Sequence, residues 1–203
     1  MSETDETHNQ VQWTPAIDTL LAKWCDEAKC FEWMHTEAFN EYNTKSHRLI
    51  IASNILTSVN GLLNLIIGGI TVQGFQTAWV FGTIGIVISI TNMLQEKLAY
   101  GTLASDNKHY AISWGIIRRK IEEEVAIPPT SRKQCSSFLK LIRDDINKVS
   151  LDGTTKIPEK IRQACLEKFR KIENFDIPDI CGGMEHTKIY TNTTPLLSLS
   201  SQP

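Results

Sequence analysis

Two uncharged apolar runs constrain this chain more than anything else in it. Leu49 to Ile70 and Ala78 to Leu94 contain no Asp, Glu, Lys or Arg, and only the seven residues Thr71 to Thr77 lie between them. As helices rising about 1.5 Å per residue they reach about 33 Å and about 25 Å, against a hydrocarbon core of about 30 Å. The pattern predicts a transmembrane helical hairpin. A hairpin buried in a soluble protein is the competing arrangement, but a mean hydropathy of −0.18 shows how polar the rest of the chain is.

Cations set the expected orientation. Lys45, His47 and Arg48 precede the first run, Lys97 follows the second, and the linker carries none, so both termini are expected on the cytoplasmic side. The opening stretch, MSETDETHNQ, is acidic and polar and lacks the basic start and early apolar core of a cleavable secretory signal. The first run is therefore expected to serve as an internal, uncleaved signal, with residues 1–13 disordered.

The 203 residues allow about one domain, and 21 Lys+Arg against 23 Asp+Glu leave no basic surplus, so no nucleic-acid partner is expected. The five cysteines (Cys25, Cys30, Cys135, Cys165, Cys181) are odd in number and fall in segments assigned to the reducing cytoplasm. No disulfide framework is expected.

Polar residues inside the apolar runs are not scattered. Ser53, Thr57, Asn60, Asn64 and Gly68 follow i, i+4, i+7, i+11, i+15 and form one stripe of the first helix; Gly82, Gly85, Ser89 and Asn92 do the same on the second. Such stripes have two uses. They allow close helix packing with hydrogen bonds across the pair, or, turned toward a shared axis in an assembly, they line a wettable path. Neither run holds an ionisable group, so there is no proton relay, voltage sensor or charged selectivity ring.

Flanking the hairpin are two longer helical patterns. Residues 14–48 carry Ile17, Leu21, Trp24, Ala28, Phe31, His35, Ala38 and Tyr42 at alternating steps of four and three, a packing seam, with Thr14 as cap and Pro15 at the first helical position. Residues 95–127 carry Leu103, Tyr110, Trp114, Ile117 and Ile121 on one face and stop at Pro128-Pro129. Antiparallel spans return the chain beside its entry point, so the two seams are expected to face each other as a stalk. His35 is expected as a histidine packed among aromatics, a metal or switch role being the alternative.

Residues 128–173 predict two shorter amphipathic helices. One uses Phe138, Leu139, Ile142, Ile146 and Val149, the other Ile161, Cys165, Phe169 and Ile172, with the turn signal Asp152-Gly153 between them. Lys156, Lys160, Arg162, Lys168, Arg170 and Lys171 make the last helix basic, either as a solvated face or as a surface for an anionic leaflet. From Asn174 to Pro203 no apolar period survives, and a disordered tail is expected.

Catalytic chemistry finds no foothold. Cys25, Cys30 and His35 are five apart and point to different helix faces, no Cys-x-x-Cys pair exists, and the glycines match no phosphate-binding pattern. Glu122-Glu123-Glu124 reads as a charged helix face. Neither a cofactor nor a metal is expected. The Asn192-Thr193-Thr194 sequon falls on the cytoplasmic side of this topology and is expected to be unmodified.

Trp24, Ala28-x-x-Phe31-x-x-x-His35 and Ala38, a first span ending Ile66-Ile67-Gly68-Gly69, a very short loop, a second span, then His109-Tyr110 and Ile116-Ile117, together resemble the SLATT superfamily over roughly Trp24 to Phe169. The resemblance implies a non-enzymatic two-transmembrane protein with helical cytoplasmic flanks, in the style of members from large DNA viruses that carry internal membranes. Bacterial members tied to nucleotide-signalled defence are proposed pore-forming effectors, but no fused sensor or nucleotide-binding domain is expected here, so any trigger is expected from a partner. The fold class expected is thus all-α, a transmembrane hairpin on a helical stalk. Two functions follow as expectations: a homo-oligomeric pore-forming or membrane-perturbing protein, or a structural scaffold whose stalk binds a soluble partner.

Overall fold

The computed structural model describes residues 11–68, 77–153 and 157–182. Among the described residues there are five α-helices and no strand: α1 Pro15–Gly68, α2 Thr77–Leu98, α3 Tyr100–Val125, α4 Cys135–Gly153 and α5 Glu159–Phe169. The linker at 71–76, Lys156, the sequon at 192–194 and the chain ends at 1–10 and 183–203 lie outside the described residues.

α1 starts where a missing N–H does no harm. Pro15 takes the first helical position, and the Thr14 carbonyl accepts from Ile17 and Asp18 at 2.9 and 3.1 Å. The helix then runs for 54 residues without a break, so the entry helix and the first apolar run are one element. Its apolar half is long and apolar enough to cross a membrane, with a mean hydropathy of 1.7 over a window that is only 6% buried. Among the described residues α1 alone meets that measure.

The return path is in two pieces. α2 holds the second apolar run and extends to Leu98, and Ala99 then adopts the left-handed conformation (φ 45, ψ 36) before α3 begins. The exit helix expected over 95–127 is therefore split: its first residues belong to α2, and α3 ends at Val125, ahead of the proline pair. Pro129–Ser131 forms a short 3-10 turn instead.

Most tertiary packing is between α1 and α3, which run antiparallel. Moving away from the apolar end, Tyr42 meets Tyr100, His35 meets Asn107 and Tyr110, Phe31 stacks on Trp114 at 4.6 Å, and Glu32 takes Arg118 at 2.7 Å. Leu21, Ala28, Phe31, Met34, Ala38, Trp114, Ile117 and Ile121 form the core, with Phe138 and Ile142 of α4 and Ile161 and Cys165 of α5 laid against it. At the far end Arg132 clamps the bundle. It donates to Asp18 at 2.5 Å and to the Val125 carbonyl at 3.0 Å, and its guanidinium lies 4.9 Å from the Trp13 ring centroid.

Three expectations need correction. Residues 174–182, expected to belong to a disordered tail, are packed: Phe175 stacks on Phe169 at 4.9 Å, Ile177 and Ile180 lie on the core, and Cys181 is buried in a 3-10 turn, Asp179–Cys181. Their apolar residues follow no helical period because the segment is extended, so periodicity cannot reveal them. Glu124 is not part of a solvated acidic face. It is buried, accepting the Lys133 backbone N–H at 2.6 Å and pairing with Lys133 Nζ at 3.5 Å, and so closes the α3–α4 turn. Ile172, assigned to the last helix, falls beyond it and is exposed.

Candidate functional site

The polar stripe of α1 divides into residues that meet α2 and residues that do not. Ser53 Oγ donates to Asn92 Oδ1 at 2.6 Å, a hydrogen bond that joins the two helices. Thr57 Oγ1 turns back to the Ser53 carbonyl, and Asn64 Nδ2 to the Asn60 carbonyl, both at 2.8 Å. Thr57 and Asn64 are exposed, as is Ser89 on α2. Asn60 is half-buried, and its Oδ1 is shielded without a partner among the described residues. A Cβ placed on Gly82 or Gly85 would meet nothing within 4 Å, so these glycines do not serve close approach of α2 to α1. Gly68 is the last residue of α1. Among the described residues the structure thus brings Ser53 and Asn92 together and pairs no other residues of the two stripes across the helices.

In the stalk both seams are consumed by each other. Phe31, His35, Trp114 and Ile117 are buried, while Trp24, Tyr42, Leu103 and Tyr110 are half-buried along the margins. His35 has no exposed surface, and its Nδ1 lies 2.8 Å from Asn107 Oδ1. Asn107 Nδ2 is already committed to the Leu103 carbonyl at 2.8 Å, so its oxygen faces the ring and Nδ1 carries the proton. Nε2 is left as a buried lone pair and the Trp114 Nε1–H as a buried donor, neither with a partner among the described residues. Burial holds the imidazole below its ordinary value; the Asn107 hydrogen bond opposes this only in part. Asn107 was not singled out from sequence. Its signal is positional, because the α3 stripe steps from Leu103 straight to Tyr110 and Asn107 fills the gap.

The five cysteines are free and buried. Cys30, Cys165 and Cys181 gather with Met34, whose Sδ lies 3.6 Å from Cys181 Sγ. A hydrogen bond with Cys181 favours the Cys165 thiolate, but the bond with Cys30 and burial outweigh it and push the thiol up to about 12. Cys181 is also pushed up, by its bond to Cys165 and then by burial. Thiols so protonated are poor nucleophiles. Among the described residues no three His, Cys, Asp or Glu side chains are arranged to hold a metal.

Where stalk meets apolar run, the Ala99 break opens a cleft of about 560 Å³ walled by Ser46, Leu49, Asn92, Gln95 and Tyr100. Just below it a Cβ on Gly101 would sit 3.5 Å from Ser46 Oγ, an ordinary contact, so the approach of α3 to α1 there does not depend on glycine. No protein-family model, curated protein or solved structure matches the chain.

Proposed function

We propose that the chain is a non-enzymatic integral membrane protein in which α1 and α2 both cross the bilayer, with both termini on the cytoplasmic side, and that copies of it assemble into a pore. The observation that carries this reading is the unused polar stripe. Asn64 and Thr57 are exposed on a helix whose surroundings would be hydrocarbon, and Asn60 Oδ1 lacks a partner among the described residues. Polar groups in that setting are driven toward other polar groups or water. A neighbouring copy supplies the first, and a lumen between copies the second.

Several features support the membrane placement. The apolar window of α1 is almost wholly unburied, unlike a soluble core helix. Lys45, His47, Arg48 and Lys97 flank the apolar runs on one side. The resemblance to the SLATT superfamily points the same way. Because the stalk seams pair within one chain, assembly draws on the faces they leave free rather than on the seam residues.

The test is ion and dye efflux from liposomes holding the purified protein beside an Asn60→Leu, Asn64→Leu variant matched for insertion and oligomer size. Loss of efflux in the variant is expected; equal efflux rejects a pore lined by α1. A scaffolding role is favoured by a different observation, the exposed Ile112 and Ile116 on α3. On that reading an Ile112→Glu, Ile116→Glu variant loses a soluble partner while keeping its membrane insertion.

A further inference from the structure

One face of α1 continues from the stalk onto the apolar run without interruption. In the stalk it presents Trp33, Glu37, Glu41 and Arg48, which together with Lys160 of α5 wall a cleft of about 510 Å³. Beyond Arg48, at steps of three or four residues, the same face is Ile51, Ile55, Val59, Leu62 and Ile66, each 46–59% exposed. The charges are graded along this face. Glu37 lies farthest from the apolar run; Glu41 is engaged by Lys45 at 2.6 Å; Arg48 lies about 4.5 Å along the axis from Ile51.

Lys45 is occupied, since besides Glu41 it sits over the Tyr42 and Tyr100 rings. Arg48 and Lys160 are both exposed and make no hydrogen bond or ion pair among the described residues, although the Lys160 charge is felt by Glu41. Two exposed cations from different helices, Lys160 within range of Glu41, thus stand at the head of a long exposed apolar stripe. An amphiphile with an anionic head and a hydrocarbon tail matches both parts at once.

We propose that this face binds an anionic phospholipid of the leaflet nearest the stalk, with the headgroup phosphate between Arg48 and Lys160 and an acyl chain along Ile51, Ile55 and Val59. The inference rests on the membrane placement above. It also gives Lys160 of α5 a specific task, because Lys160 reaches the headgroup level only through the packing of α5 on α1.

Native mass spectrometry of the full chain released from detergent tests it, with phosphatidylglycerol and phosphatidylcholine offered in turn. The unaltered protein is expected to retain phosphatidylglycerol preferentially. Arg48→Gln and Lys160→Gln should each weaken that retention about five-fold and leave phosphatidylcholine untouched, whereas Lys140→Gln, outside the cleft, should change nothing. Equal retention of both lipids, a Lys140 effect as large as the Lys160 effect, or a lipid-free dimer that excludes phosphatidylglycerol would each overturn the proposal. Alkaline carbonate extraction of proteoliposomes separates the two levels. Protein that stays in the pellet without lipid preference defeats the site alone, and protein that is extracted defeats the membrane placement with it.

Discussion

His35 is the residue whose environment makes the sharpest demand. A neutral ring with Nδ1–H on Asn107 fits the site, whereas an imidazolium would carry its second proton on Nε2 into a pocket with no acceptor among the described residues. Its folded pKa lies below the ordinary value of 6.5, so the folded state binds fewer protons than the unfolded state as pH falls through that value. The stabilisation is complete above pH 6.5 and erodes below it, by up to about 1.4 kcal/mol per pH unit. Thermal unfolding of the detergent-solubilised protein at pH 7.5 and pH 5.5 should show this loss, and His35→Gln should flatten it. Identical pH slopes for the two proteins would mean that His35 does not titrate in the fold. The aromatic setting of His35 was legible, because seven-residue periodicity records burial. Its hydrogen-bond partner was not, since an Asn within a polar-looking stretch carries no mark of which neighbour it will meet.

At the scale of elements, the joint between α2 and α3 is the feature that the sequence conceals. Leu98-Ala99-Tyr100 contains no proline or glycine, and intrinsic propensity favours continuing the helix through Ala99. The chain instead spends one residue in the left-handed region, at a cost of roughly 1–2 kcal/mol, so that α3 can lie along the seam of α1. Ala99→Gly should be neutral or stabilising by up to about 1 kcal/mol, while Ala99→Val should cost about 2 kcal/mol, because a β-branched side chain resists a positive φ. Unfolding midpoints read both, and a valine variant as stable as the unaltered chain would show that the joint is not held there. The two seams and the apolar runs could be read in advance, as strong periodicity and missing charge reflect packing that spans many residues. A one-residue break reflects a tertiary requirement that overrides local preference, and no local pattern announces it.

For the molecule as a whole, the segment 175–182 closes the bundle. Cys181, with Phe175, Ile177 and Ile180, covers the side of the core formed by Met34, Cys30 and Cys165. A chain ending at Asn174 should lose roughly 3–5 kcal/mol and melt on the order of 10 °C lower, whereas a chain ending at Gly182 retains every described contact and is the reference. Equal melting of the two would mean that the segment adds nothing. The 54 residues of α1 form a single rod about 80 Å long, continuous from Pro15 to Gly68, while the returning leg is broken at Ala99 into α2 and α3. A twist applied at the Pro15 end therefore has one continuous helix to act through on the α1 leg and a one-residue break on the other, so the two legs carry it unequally.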